Sequence, residues 1–183
     1  SYDPVAGSVD YIYPAAMANE DGTPNLSALC MQDGTLATLA STLDYAKGSG
    51  DMTESSGVFT LPGIALKNQL TICKFKVKNS GGTEITSSIT GLTVSDGTNT
   101  YTVSRAEAAG PIYVAMLPVS SDKTLSFVAN DASNSYYKNV TGKTLEANNQ
   151  YPINVTMTTG TTTNLSSLGA DHTIARSEER VSR

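Results

Sequence analysis

Several residue types are scarce in this sequence, and each scarcity excludes a class of function. The 183 residues include one histidine, two cysteines and no tryptophan. A catalytic triad or a histidine-based metal site needs an imidazole held beside fixed partners. The one histidine, His172, lies in a polar segment close to the C terminus, where chains commonly fray. We therefore interpret His172 as a solvated bystander.

Charged residues are also few, at 16% of the chain, and the balance is acidic. The net charge is −5 and the pI is about 4.7. Nucleic acids and anionic membranes call for a clustered basic face, so neither is expected as a partner. No run approaches the ~20 consecutive apolar residues of a membrane-spanning helix. The chain opens at Ser1 without a basic and apolar leader, and we expect a mature or excised segment of an exported protein.

Motifs that carry catalysis are missing as well. The sequence has no zinc-type CxxC or HExxH, no phosphate-binding glycine motif and no GxSxG nucleophile motif. The acidic residues Asp51, Glu54, Asp96 and Asp131 fall in turn clusters, where carboxylates accept local backbone hydrogen bonds. The segments 96–99 and 130–134 lack the spacing of a calcium loop. We predict no catalytic residue, cofactor or metal site, with a hydrolase that uses loop carboxylates as the least favoured alternative.

What the sequence does contain is strand alternation, most clearly over residues 70–103. Within LTICKFKVK, Cys73, Phe75 and Val77 alternate with three lysines at the two-residue period of a half-buried strand. Further along, an Asp96-Gly97 dipeptide separates two alternating segments, which predicts a hairpin. Cys73 therefore belongs to the buried set, and a Cys30–Cys73 disulfide is the less favoured interpretation.

About eight such strands are separated by turn signals at the ~8–12 residue spacing of sandwiches and barrels. The prediction is an all-β antiparallel sandwich, with one or two short helical turns near residues 25–46. Residues 111–117 read as a central strand covered on both faces, Pro152 marks an edge strand, and residues 47–57 read as a Gly/Ser-rich loop. Five side chains are expected in the core: Phe75, Val94, Val114, Phe127 and Val155.

Tyrosine is the abundant aromatic residue, with nine copies against three phenylalanines. Its ring is apolar and its tip is polar, a combination common in binding surfaces. Tyr136 and Tyr137 are adjacent on one strand, so their rings point to opposite faces, and Tyr113 lies on the most hydrophobic strand. Sheet packing is the simpler interpretation. The alternative is a carbohydrate-binding module in which Tyr113, Tyr136 or Tyr137 contacts a host or dietary glycan.

Several segments in order resemble the fimbrillin-type proteins of Bacteroidales, which are pilins and pilin-like surface lipoproteins. The similar segments are residues 10–15 (DYIYPA), 43–46 (LDYA), 58–77, 140–147 (VTGKTLEA) and 151–155 (YPINV). The resemblance covers about residues 10–158. It implies transthyretin-like or Greek-key β-sandwich structure and a location at the cell surface or outer membrane.

The same resemblance implies a non-enzymatic structural or adhesive role as a pilus subunit or surface lipoprotein. Its partners would be other pilus or surface subunits, joined by donation of a β-strand to an open sheet edge. Membrane attachment would come only from a lipid anchor outside this segment. For domain organisation we predict a fimbrillin-like region over residues 1–158, with a possible sub-boundary at residues 79–82. Residues 159–183 would form a polar tail or the start of a further module.

Overall fold

The computed structural model describes residues 7–25, 27–106 and 110–160, and these residues are organised mainly as β-strands. His172 and the tail residues 161–183 lie outside this part. The helices are α1 (Ser27–Cys30) and α2 (Leu36–Thr42), with single 3-10 turns at Ala15–Met17 and Thr86–Ser88. The strands are β1 (Ser8–Tyr13), β2 (Met31–Gln32), β3 (Ala46–Asp51), β4 (Thr53–Ser55), β5 (Val58–Thr60), β6 (Lys67–Asn68), β7 (Thr71–Lys78), β8 (Gly91–Ser95), β9 (Thr100–Ser104), β10 (Ile112–Met116), β11 (Thr124–Asn130), β12 (Ser135–Thr141), β13 (Gln150–Thr156) and β14 (Thr158–Gly160).

Two sheets form the sandwich, as the alternation predicts. One has three strands in the order β10-β7-β13, and the other has six in the order β14-β12-β11-β8-β9-β2. A smaller sheet, β1-β3-β6, and the hairpin β4-β5 lie beside them. The all-β prediction is confirmed, and so are the two short helices near residues 25–46. The helices in the described segments are far too short to cross a membrane.

The core lies between the two main sheets and contains all five side chains expected there. Phe75, Val94 and Val114 are fully buried, and Phe127 and Val155 are no more than 5% exposed. Phe75 from the three-stranded sheet meets Phe127 from the six-stranded sheet edge to face, with ring centroids 5.4 Å apart. One cluster includes residues from both sides of the turn at 79–82. The sub-boundary at that turn stays a prediction.

Strand direction differs from the expectation of a purely antiparallel fold. Eight of the described strand pairings are antiparallel, but β13 runs parallel to β7 and β2 runs parallel to β9. The strand before β13 is β12, which lies in the other sheet, so β13 enters by a crossover between sheets. A crossover, unlike a tight hairpin turn, allows either direction.

The Gly/Ser-rich loop predicted over residues 47–57 is wrong, because most of that segment forms β3 and β4. Glycine is present in β3 because another segment lies directly against the backbone. A Cβ added at Gly48 would lie 2.5 Å from the Cγ2 atom of Ile64, and one added at Gly50 would lie 2.8 Å from Pro62. Glycine in a strand often marks such a close approach rather than a loop.

Strand β10 is buried on its inward face and at Ala115 on the other face, but it is an edge strand, not the central strand that its hydrophobicity suggested. Two side chains and a loop carbonyl close its outer edge. The Tyr113 amide donates to the Gly34 carbonyl at 2.9 Å, and the Leu117 amide donates to the Tyr101 hydroxyl at 3.2 Å. Between them, the Gln32 side chain accepts from the Ala115 amide at 2.9 Å and donates to its carbonyl at 2.7 Å. This edge therefore behaves as a closed one.

The two cysteines are thiols in different environments, and they do not form the less favoured Cys30–Cys73 disulfide. Cys73 is fully buried with its Sγ 3.7 Å from the Met116 Sδ, whereas Cys30 lies at the surface. Burial raises the pKa of the Cys73 thiol to about 12. A thiol reagent acts on the thiolate, so the buried group should resist it.

We predict that Cys73 of a Cys30→Ser variant reacts with a chromogenic disulfide reagent only after unfolding. The folded protein at pH 8 should label at less than about a hundredth of the rate seen in denaturant. The raised pKa also implies that this thiol contributes stability below the unfolded pKa of about 8.5, which is lost as pH rises toward 12. Fast labelling of the folded variant would contradict the buried position.

Candidate functional site

The backbone of β13 presents an open sheet edge, in contrast to β10. In a parallel ladder alternate residues bond to the neighbouring strand. The Ile72 amide donates to the Asn149 carbonyl at 3.0 Å and the Met157 amide donates to the Lys78 carbonyl at 2.8 Å. Asn149 and Met157 therefore bond to the β7 side, and so do the backbone groups of every second residue between them, which are Tyr151, Ile153 and Val155. The backbone groups of Pro152, Asn154 and Thr156 point away from β7. No partner strand covers them among residues 7–25, 27–106 and 110–160.

Pro152 fits this geometry, and its prediction as an edge residue is confirmed. Proline has no backbone N–H to donate, so it is tolerated where that position points away from the ladder. On β13 the missing donor would face the open side. From Pro152 onward, the outward groups are the Pro152 carbonyl and both backbone groups of Asn154 and Thr156.

The inward side chains of β13 are incompletely covered. Val155 is 5% exposed, but Tyr151 and Ile153 on the same face are only half-buried and pack at the border of the core. The Tyr151 hydroxyl accepts a hydrogen bond from the Glu146 amide at 3.0 Å, which ties the preceding loop to the strand. The inward side chains of this open edge strand therefore leave apolar surface that an additional strand could cover.

The facing wall is formed by the end of β12. The short strand β14 pairs only with residues 135–137 of β12, so residues 138–141 have no strand on their outer side in the described structure. Leu125 and Phe127 form the floor, and the half-buried Val140 lies at the side. We call this space the β13 groove. It has a volume of about 560 Å³ and runs along residues 151–156.

Charge in the β13 groove is of one sign. Lys138 and Lys143 line it together with the polar side chains of Thr144, Asn154 and Thr156. The ion pairs within the described residues are Lys47–Asp10 and Lys76–Glu84, and neither involves the two groove lysines. The groove thus combines an apolar floor, positive charge and a row of backbone groups that no other described residue is seen to bond.

Two of the carboxylates that were candidates for loop chemistry, Asp96 and Asp131, act as turn residues, as predicted, whereas Asp51 lies on β3 and Glu54 lies on β4. The Asp96 carboxylate accepts from the Thr98 and Asn99 amides at 2.8 and 2.6 Å. Partial burial works to raise the pKa of Asp96, but these hydrogen bonds and nearby Lys123 together hold it below the ordinary value. The described residues contain no cluster of three or more His, Cys, Asp or Glu that could hold a metal ion.

The three tyrosines singled out for ligand contact do not come together. Tyr136 is 7% exposed, and its hydroxyl donates to the Asp131 carboxylate at 2.7 Å, so its ring belongs to the core. Tyr113 is half-buried on the outward face of the three-stranded sheet, with the Lys74 ammonium 5.8 Å from its ring centroid. Tyr137 is half-buried on the outward face of the other sheet. These three tyrosines therefore form no shared platform.

Sequence reasoning missed most of the β13 groove. Pro152 gave a local signal for the edge, and the alternation of Tyr151, Ile153 and Val155 gave the inward set. Nothing local marked Gln32, which closes the competing edge through bonds to a residue 83 positions away. Lys138 and Val140 join the site only because β12 ends opposite β13.

Comparison with known proteins gives matches to solved structures alone. No protein-family model and no curated protein matches the chain. A crystal structure of a candidate cell adhesion protein from Bacteroides fragilis aligns with a TM-score of 0.45 and 17% identity, over 84% of this chain and 62% of that chain. A candidate cell adhesion protein from Bacteroides ovatus aligns with a TM-score of 0.39 and 15% identity, over 84% of this chain and 58% of that one. The chain spans less than two thirds of either protein.

Proposed function

We propose that this chain is a non-enzymatic structural or adhesive module of an exported surface assembly, and that it accepts a β-strand from a neighbouring subunit in the β13 groove. The observation that carries the proposal is the open backbone edge of β13 above half-buried Tyr151 and Ile153. An added strand would bond to Asn154 and Thr156 and cover those side chains at once. Strand addition of this kind takes affinity from the backbone and specificity from alternate side chains.

An extended segment fits the β13 groove better than a globular surface does. Exposed strand edges are liabilities that proteins usually blunt with charge, proline or a covering element. Here Pro152 protects one end of β13, while Asn154 and Thr156 keep both donors and acceptors. The accepted strand would therefore pair chiefly along the second half of β13.

The groove also constrains the sequence of the incoming strand. Its inward positions should be apolar and alternate, because they would lie over Leu125 and Phe127. An acidic side chain near either end would meet Lys138 or Lys143. Partly buried opposite charges attract more strongly than fully exposed ones, so one such acid should favour the correct register.

A surface location is supported by composition as well as by the groove. Short hydroxylated side chains and few charges are typical of exported β-proteins, and the sequence resembles fimbrillin-type proteins of Bacteroidales. On that basis we propose that the chain is a pilus subunit or pilin-like surface lipoprotein. Attachment to the outer membrane would come from a lipid anchor.

The test is selection of strand-forming peptides. A displayed library of ten-residue peptides with apolar residues at alternate positions is panned on the purified chain, and a selected peptide is then titrated. At 100 times its Kd, the peptide should stabilise the fold by about 2.7 kcal/mol and raise Tm by about 5–10 °C. Amide hydrogen exchange should slow at Asn154 and Thr156.

Matched variants distinguish groove binding from general stickiness. Ile153→Lys introduces a charge into the groove and should abolish the Tm shift. Val58→Lys changes a residue that is 64% exposed on the β4-β5 hairpin and should leave the shift unchanged. Selection of no peptide, or of peptides that bind Ile153→Lys equally well, would refute strand acceptance at this site.

A further inference from the structure

The outward face of the six-stranded sheet carries no charged side chain on any of its strands. Alternation directs Leu92, Val94 and Phe127 to the core and their neighbours to solvent. The strand registers align one residue from each strand into a central row: Thr158, Tyr137, Val128, Thr93, Thr102 and Met31. Every member of this row is half-buried or exposed.

The rows on either side of the central one continue this chemistry. One contains Asn139, Ser126, Ser95 and Thr100. The other contains Gly160, Ser135, Asn130, Gly91 and Ser104. Tyr137 on β12 and Val128 on β11 are cross-strand neighbours that lie side by side on this face. Hydroxyl and amide groups therefore surround them. Hydroxyls both donate and accept hydrogen bonds, and amides carry both kinds of group.

The opposite side of the sandwich provides an internal contrast. On the outward face of the three-stranded sheet, β7 presents Lys74, Lys76 and Lys78 at alternate positions. The chain as a whole has 12 basic and 17 acidic residues, so charged side chains are available for solvent-facing strands. The absence of charged side chains is therefore specific to the outward face of the six-stranded sheet.

We propose that this face binds a neutral polysaccharide, with one sugar ring stacked on Tyr137. A tyrosine ring offers an apolar surface to the C–H face of a pyranose, and Val128 extends that surface on the adjacent strand. Neighbouring strands are ~4.8 Å apart, which is close to the length of one pyranose unit. A glycan laid across the strands would therefore meet Thr93 and Thr102 at successive sugar units.

The lack of charged side chains on this face favours a neutral ligand over an anionic one. An anionic polysaccharide would find no cation among the outward residues of these six strands, and lysine is instead concentrated on the opposite sheet. A neutral glycan needs no charge to be desolvated, and its hydroxyls would bond to the hydroxyl and amide groups of this face in place of solvent. The site is separate from the β13 groove, and the proposal does not depend on strand acceptance.

Affinity electrophoresis in native gels tests the proposal with defined probes. The gels contain laminarin, xyloglucan, galactomannan or dextran as neutral polymers, and heparin or polygalacturonate as anionic ones. At least one neutral polymer should retard the chain, and Tyr137→Ala should weaken that binding at least tenfold. Tyr137→Phe keeps the ring and should retain most of the binding, while Thr93→Glu should abolish it without removing the tyrosine.

Control variants act on other surfaces. Tyr113→Ala removes the half-buried tyrosine of the opposite sheet, and Ile153→Lys alters the β13 groove, so neither should change retardation. Retardation by no neutral polymer, by the anionic polymers alone, or equally in Tyr137→Ala and Thr93→Glu would overturn the proposal. Sedimentation that shows self-association abolished by Thr93→Glu, without polysaccharide binding, would assign the face to a second copy and also overturn it.

Discussion

Replacement of Phe75 by alanine should lower the free energy of unfolding by about 3–5 kcal/mol. Phe75 is fully buried and its ring packs against Phe127 across the interface between the sheets. The variant loses the transfer free energy of the ring and leaves a cavity that two hydrogen-bonded sheets cannot easily close. Denaturation in urea measures the loss, and Tm should fall by about 6–20 °C.

Phe59 provides the matched control for that measurement. It is a phenylalanine on β5 of the two-stranded hairpin and lies outside the buried core cluster. Phe59→Ala should cost less than about 1 kcal/mol. In a double-mutant cycle, Phe75→Ala and Phe127→Ala should show a coupling of about 0.5–1.5 kcal/mol from the aromatic pair. Equal losses at Phe59 and Phe75 would contradict a sandwich closed over these rings.

Replacement of Gln32 by leucine should destabilise the chain by about 2–4 kcal/mol, although leucine has a similar volume and more apolar surface. Gln32 is 6% exposed and bonds to both backbone groups of Ala115 and to the Leu29 carbonyl at 2.8 Å. Leucine would leave these groups buried without partners, at about 1–3 kcal/mol for each unsatisfied group, partly relieved by relaxation. Equilibrium unfolding measures the loss.

Two further variants define the role of the Gln32 amide. Gln150→Leu changes an exposed glutamine on β13 and should lie within about 0.5 kcal/mol of the original chain. Gln32→Glu keeps the acceptor for the Ala115 amide but brings a buried carboxylate against two carbonyls. Its pKa should rise, so its deficit relative to the original chain should be smallest at low pH and grow as pH rises. Full stability of Gln32→Leu would show that β10 needs no such closure.

The two edges of the three-stranded sheet explain why Gln32 would matter for the proposed strand acceptance. With β10 closed by side-chain and loop groups, β13 is the edge of that sheet at which a strand can add. A chain with both edges open could extend in two directions and aggregate. Closure by Gln32 would therefore restrict strand addition to β13, in addition to stabilising the fold. We expect Gln32→Leu to increase nonspecific association, measured by light scattering.

Part of this structure follows from local patterns in the sequence. Alternation at Cys73, Phe75 and Val77 fixed which residues of β7 face the core, and the same rule identified Val94, Phe127 and Val155. Turn chemistry correctly assigned Asp96 and Asp131. Pro152 marked its strand as an edge. Each signal depends on backbone geometry over a few neighbouring residues, which the sequence contains directly.

The β13 groove was only partly predictable, because an edge is defined by the strands that are absent beside it. Residues 47–57 looked like a loop because Gly48 and Gly50 are poor strand formers, and the contact with Ile64 that favours them comes from another segment. Hydrophobicity placed β10 in the centre of a sheet, since it reports burial of a face and not the position in the strand order.

By itself, the amino-acid sequence determined the inward and outward sets of the strands, the turns and the two short helices. The tertiary structure alone decided that β13 lies parallel to β7, that Gln32 closes β10, and that Tyr136 faces the core while Tyr137 faces outward. Side-chain direction along a strand repeats every two residues and is local, whereas strand order is decided by backbone hydrogen bonds between residues as distant as Ile72 and Asn149. The open edge and the uncharged face are both consequences of that long-range pairing.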